Sequence, residues 1–165
     1  MTSGRWLEAL GESRAKRGAR GVSSPLAGRE GERARSGRHE HFRAIVSLMN
    51  ATIVRLDTPM EPDVSAPAGD RLLAGTPQHR VWNYFTDTTQ TFFAGRWSGT
   101  RGKWRVRYTE NELCVMTAGR VVITSDAGEA NTFGPGDAFV IPAGFSGTWE
   151  VLEDCSKVYA VFEAR

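Results

Sequence analysis

The stretch from Gly102 to Trp149 restricts the fold more than any other part of the chain. In Lys103–Tyr108 the alternation is strict: Trp104, Val106 and Tyr108 share one side, and Lys103, Arg105 and Arg107 share the other. A period of two is the mark of a half-buried strand, with its basic side turned to water. After Thr109-Glu110-Asn111, the run Glu112–Met116 is largely apolar at both parities, as in a strand covered on both faces. Gly119 predicts a tight turn into Arg120–Thr124, and Asp126-Ala127-Gly128 predicts a hairpin. Gly134-Pro135-Gly136-Asp137 is a dense turn cluster, and Ala138–Ile141 is a short buried strand that Pro142 ends. Ser146–Leu152 and Lys157–Phe162 are expected as two further strands, split by Glu153–Ser156.

The preceding residues extend the same pattern. Thr52–Leu56 is a short β-rich run, expected to be the first strand. Residues 59–78 carry four prolines with Gly69 and Gly75, and predict a long surface connection with a brief helical turn at Asp70–Leu73. Residues 80–86 and 90–98 predict a hairpin closed at Asp87–Thr89, because aromatic and β-branched residues suit a pleated, half-buried surface. Many short strands with turns about every 8–12 residues predict an all-β sandwich or small barrel. The expected organisation is a tail over 1–48, a first strand and connection over 49–79, and a barrel over 80–165.

Charge separates these parts. Residues 1–48 hold ten Lys/Arg and five Asp/Glu, whereas residues 49–165 hold eleven and fourteen. The barrel is therefore mildly acidic, which speaks against a nucleic-acid-binding face. The tail is rich in Gly, Arg, Ser and Glu and nearly free of aromatics, so it reads as disordered. The abrupt change of composition before Met49 suits a chain that starts at Met49, an inert tail, or a basic arm for phosphate or an acidic partner. No apolar run approaches the ~20 residues that span a bilayer. Cys114 and Cys155 form no CxxC pair, and the chain reads as a cytoplasmic protein that keeps both as thiols.

Two spacings resemble the signature segments of the cupin family. In a catalytic cupin, a pair of histidines precedes a glutamate, six residues and a glycine; Glu112, Leu113 to Ala118 and Gly119 match the latter part. Gly136, Pro142 and Gly144 match the second segment. The wording of YTENELC, FGPGDAFVIPAGFSGTWEV and KVYAVFE is similar to the small single-domain cupins related to (S)-ureidoglycine aminohydrolase. The resemblance covers about residues 80–163. It implies a double-stranded β-helix, or jelly-roll barrel, and metal-dependent chemistry on a small nitrogenous or carbonyl compound. The three histidine positions, however, hold Val106, Tyr108 and Gly147. A protein-held divalent metal needs three or four good donors. Glu112, helped by Glu110 if the strand bulges, would offer only a weak oxygen site suited to Mn²⁺ or Mg²⁺.

Alternation places Trp104, Tyr108, Glu112, Met116 and Trp149 inside such a barrel. Together with Glu110 they are the candidate ligand-binding residues, and Glu112 is the candidate acid/base. Buried, Glu112 needs a partner: the Tyr108 hydroxyl, a water, a ligand amine or an arginine from another strand. Cys114 reads as a small buried hydrophobe and His79 as a solvated loop residue. Two functions follow: a cupin that binds a small polar molecule without the usual metal site, or an enzyme with Glu112 as acid/base or weak metal anchor. A homodimer is the expected assembly, since sheet edges need cover.

Overall fold

The computed structural model describes residues 52–164, and the segments expected over 1–48 lie outside them. Nine strands follow in chain order: β1 (Asp63–Ser65), β2 (Leu72–Gly75), β3 (His79–Thr86), β4 (Phe92–Gly99), β5 (Gly102–Arg107), β6 (Asn111–Ser125), β7 (Ala130–Phe133), β8 (Ala138–Ile141) and β9 (Ser146–Phe162). All pairings are antiparallel. They form one curled sheet that folds into two facing layers, the all-β jelly roll expected from the turn pattern.

β6 and β9 make the curl. Each is long enough to serve both layers, and they pair along their whole length. The first half of β6 and the second half of β9 join β8, β4, β3 and β1; the other halves join β7, β5 and β2. The corner lies at Gly119 and Asp154, where the register shifts between Met116 and Val121. Gly119 has φ of +72°, and a Cβ there would stand 2.3 Å from the Asp154 carbonyl oxygen. The expected turn at Gly119 is therefore a bend within one strand, and Glu153–Ser156 bends β9 without ending it. Glycine and a bulge let a strand turn a corner without losing its ladder.

Two further expectations are corrected. Thr52–Leu56 forms no strand, because β propensity without a neighbour to pair with among the described residues is not enough; the first strand of the described residues is β1, paired with β3. Asp70–Leu73 is not helical: Leu72 begins β2, which pairs with β5 after a register shift. The hairpin of β3 and β4 is present, and the Asp87 carboxylate ties its loop by accepting from the Thr91 and Phe92 amides at 2.8 and 2.9 Å. These bonds, with that from Thr89 foremost, lower the Asp87 carboxyl to about 2.

The space between the layers is filled by aromatic residues. Trp97, Trp104, Trp149, Tyr108, Tyr159 and Phe93 are all buried. Lys103 is half-buried, and Arg105 and Arg107 stand outside, as the alternation predicts.

Candidate functional site

Side-chain parity puts Glu112, Cys114 and Met116 of β6 on the inner face, and Glu112 is only 2% exposed. Lys157 of β9, which is 0% exposed, has Met116 and Trp97 as its cross-strand neighbours. Its ammonium donates to Glu112 Oε1 at 2.8 Å and to Cys114 Sγ at 3.3 Å. The same nitrogen lies 4.5 Å from the centre of a Trp149 ring and 5.4 Å from that of Trp97. Burial opposes a charge on Lys157, but the Cys114 sulfur and the Glu112 carboxylate outweigh it and hold the ammonium above its ordinary value. Burial pushes the Cys114 thiol up, and the Glu112 charge acts the same way. Cys114 is therefore an inert thiol beside an ion pair.

Lys157 answers the question of what satisfies Glu112, and sequence reasoning missed it. The signal was the parity of Lys157, Tyr159 and Val161 against Val158, Ala160 and Phe162. With apolar residues on both sides, that strand alone does not decide which face is inner.

The pair leaves polar atoms over. Glu112 Oε2, the Tyr108 hydroxyl and the Trp149 indole nitrogen are buried without a well-formed hydrogen bond among the described residues, although the Tyr108 phenol is close enough to the Glu112 carboxylate to interact with it. Each such atom costs about 1–3 kcal/mol when left unsatisfied. Burial first, and the Glu112 charge second, raise the Tyr108 phenol well above its usual value, so it stays a neutral donor. Glu110 is buried too, with Oε2 accepting from the Thr109 amide and hydroxyl, each at 2.8 Å. Burial raises its carboxyl to about 7, the Thr109 bonds work against that, and the Glu112 charge adds to it.

All six sequence-selected residues, Trp104, Tyr108, Glu110, Glu112, Met116 and Trp149, are buried in one interior. The tryptophans pack on other rings: Trp97 lies 5.9 Å from Trp149 and 6.4 Å from Trp104. His79, expected in a solvated loop, is wholly buried at the start of β3, 4.6 Å from Trp104 and 5.2 Å from Trp97 between ring centres. None of the six lines the adjoining cavity of about 140 Å³. Ile123, Phe133, Phe139, Ile141 and Phe145 wall it, with Glu129 and Asn131 among its polar residues. Behind this wall Phe139 meets Trp149, Phe145 meets Tyr108, and Ile141 is the cross-strand neighbour of Glu112.

The donor set does not fit a cupin metal. Among the described residues no group of three His, Cys, Asp or Glu is placed to hold one. At the third histidine position, a Cβ on Gly147 would sit 2.1 Å from the Thr124 carbonyl oxygen. Glu112, the proposed anchor for Mn²⁺ or Mg²⁺, already faces the Lys157 cation. Also among the described residues, no helix is long and apolar enough to cross a membrane.

Comparison with known proteins agrees with this architecture. Residues 86–159 match the family described as EutQ-like cupin domain. A protein of unknown function of the DUF861 family from Pseudomonas syringae pv. tomato is 28% identical, with a TM-score of 0.59, over 67% of this chain and 47% of that one. The chain thus spans about half the length of that relative. A DUF861 family protein from Thermotoga maritima is 30% identical over 39% of this chain and 73% of its own, with a TM-score of 0.38. The EutQ protein of Clostridium difficile is 17% identical over 53% of this chain and 64% of its own, with a TM-score of 0.49. No curated protein matches the chain. The matched domain, the Pseudomonas neighbour and the two-layered curl of the described strands identify residues 86–159 as a domain of the cupin superfamily.

Proposed function

We propose that this cupin binds a small, uncharged, hydrogen-bonding molecule at the inner end of its barrel. The observation that carries the reading is a buried acceptor and donor, Glu112 Oε2 and the Tyr108 hydroxyl, that interact with each other without a well-formed hydrogen bond, beside a Glu112 already neutralised by Lys157. An acceptor and a donor in one interior suit an amide or hydroxy compound, whereas a charged ligand would disturb a balanced pair. The phenylalanine-walled cavity lies on the other side of Phe139, Ile141 and Phe145 from these atoms, so a ligand that reached them from it would have to displace part of that wall. A cavity of about 140 Å³ beside the site suits a small molecule.

Thermal-shift measurement with a panel of small amides, ureas and polyols tests this. Ligand at a hundred times its Kd is expected to raise Tm by about 10 °C. The shift should vanish in Tyr108→Phe and weaken in Glu112→Gln. A panel without effect, or a shift that survives both changes, would count against the reading.

A second reading rests on Glu110. A buried carboxyl raised to about 7 has the value a general acid/base needs. It would serve chemistry on a small nitrogenous or carbonyl compound, as in the ureidoglycine aminohydrolase type. Turnover of a panel compound that Glu110→Gln abolishes while binding persists would favour it.

A further inference from the structure

Two strand edges meet at the cavity without pairing. Among the described residues, β7 and β8 each pair with β6 and with no other strand. β8 takes the first half of β6 and β7 the second, on opposite sides of the Gly119 corner. Phe133 of β7 and Phe139 of β8 span the gap between the layers, stacked with ring centres 3.8 Å apart and planes 18° from parallel. Ring contact, not backbone hydrogen bonding, joins these two strands. Phe133, Phe139 and Phe145 all line the cavity, and each is only half-buried.

The mouth of the cavity carries one sign of charge. Glu129, exposed in the turn between β6 and β7, is the one charged residue that lines it. Among the described residues no cation pairs with Glu129. Its amide donates to Ser125 Oγ at 3.2 Å, and Asn131 Nδ2 reaches its Oε1 only at 3.5 Å. Ser125, Glu129 and Asn131 thus bring a hydroxyl, a carboxylate and an amide oxygen to one rim.

We propose that this cavity is a binding site in its own right, for a small apolar ammonium: one ring, or as much carbon, bearing a protonated amine. An apolar cavity of about 150 Å³ takes a benzene-sized ring, and this one measures about 140 Å³. An ammonium has three donors and no acceptor, which three rim oxygens match. Phenylalanine faces attract a cation as well. A carboxylate or phosphate ligand would meet the Glu129 charge with no cation to offset it. None of Val106, Tyr108, Glu112 and Gly147 lines the cavity, so the site uses neither the interior acceptor and donor nor the positions of a cupin metal. It stands whether or not the interior binds a ligand.

Benzylammonium, benzyl alcohol and benzoate share a ring and differ in charge. Methyl NMR of the full chain with labelled isoleucine compares them, because Ile123 and Ile141 line the cavity while Ile53 is 97% exposed. Benzylammonium should shift the Ile123 and Ile141 methyls with a Kd on the order of 1 mM and leave Ile53 still. Benzyl alcohol should bind about three- to fivefold more weakly, the advantage an exposed ion pair confers, and benzoate more weakly again. Glu129→Gln should remove the difference between ammonium and alcohol, and Glu129→Lys should make benzoate the better ligand. Glu129 is exposed, so neither change disturbs the core. An Ile123 methyl that stays still at about 10 mM benzylammonium overturns the proposal. So does equal binding of ammonium and alcohol by the wild type, or an ammonium preference that survives Glu129→Lys. A shift of Ile141 without Ile123 also overturns it, since the ring would then sit inside the barrel.

Discussion

Removing Lys157 while Glu112 stays would leave a carboxylate buried without its partner. Lys157→Met is expected to cost about 3–5 kcal/mol in urea unfolding. Lys157→Met/Glu112→Gln should recover most of that loss, because the pair's attraction largely repays its own desolvation. A double variant no more stable than Lys157→Met would refute the pairing. Glu110 makes a prediction with the opposite dependence from an ordinary carboxylate. Its folded pKa of about 7 lies above the ordinary 4.5, so between those values the native state holds more protons than the unfolded one. The stability it lends is present below about 4.5 and is lost as pH rises to about 7. The Glu110→Gln curve of stability against pH should therefore be flatter over that window; an unchanged slope would refute the shift. At this scale the sequence was partly legible. Alternation alone turned Trp104, Tyr108 and Glu112 inward. Lys157 and His79 were not legible, since their burial depends on partners far away in the chain: Glu112 for one, the tryptophans for the other.

Strands were legible as apolar runs, but their ends were not. Glycine after a strand suggests a turn, and only the neighbouring chain decides whether the ladder continues past it. At Gly119 it continues, because β9 bends alongside at Asp154. Gly119→Ala is expected to lose about 1–3 kcal/mol, from a left-handed φ and a carbonyl in the way. Chemical denaturation checks it, and a loss below half a kcal/mol would mean the corner flexes. The prolines of residues 59–78 masked β1 and β2, which are short, lie at the borders of the sheet and fall between the prolines.

For the molecule as a whole, β6 and β9 run through both layers, so neither layer can open alone. Far-UV circular dichroism and tryptophan fluorescence should report one coincident two-state transition, and separated midpoints would contradict this. That shared pair of strands gives the internal salt bridge a second consequence. Sliding β9 past β6 by one residue would point Lys157 into solvent and leave Glu112 buried without it, and sliding by two would part them inside. Around Lys157 both faces of β9 are apolar, which lowers the penalty that burial alone sets on such slips. The charges then act as a key that admits one alignment. We expect the doubly neutralised variant to melt near wild type yet show doubled amide resonances by NMR, and a single clean spectrum would show that shape alone sets the alignment.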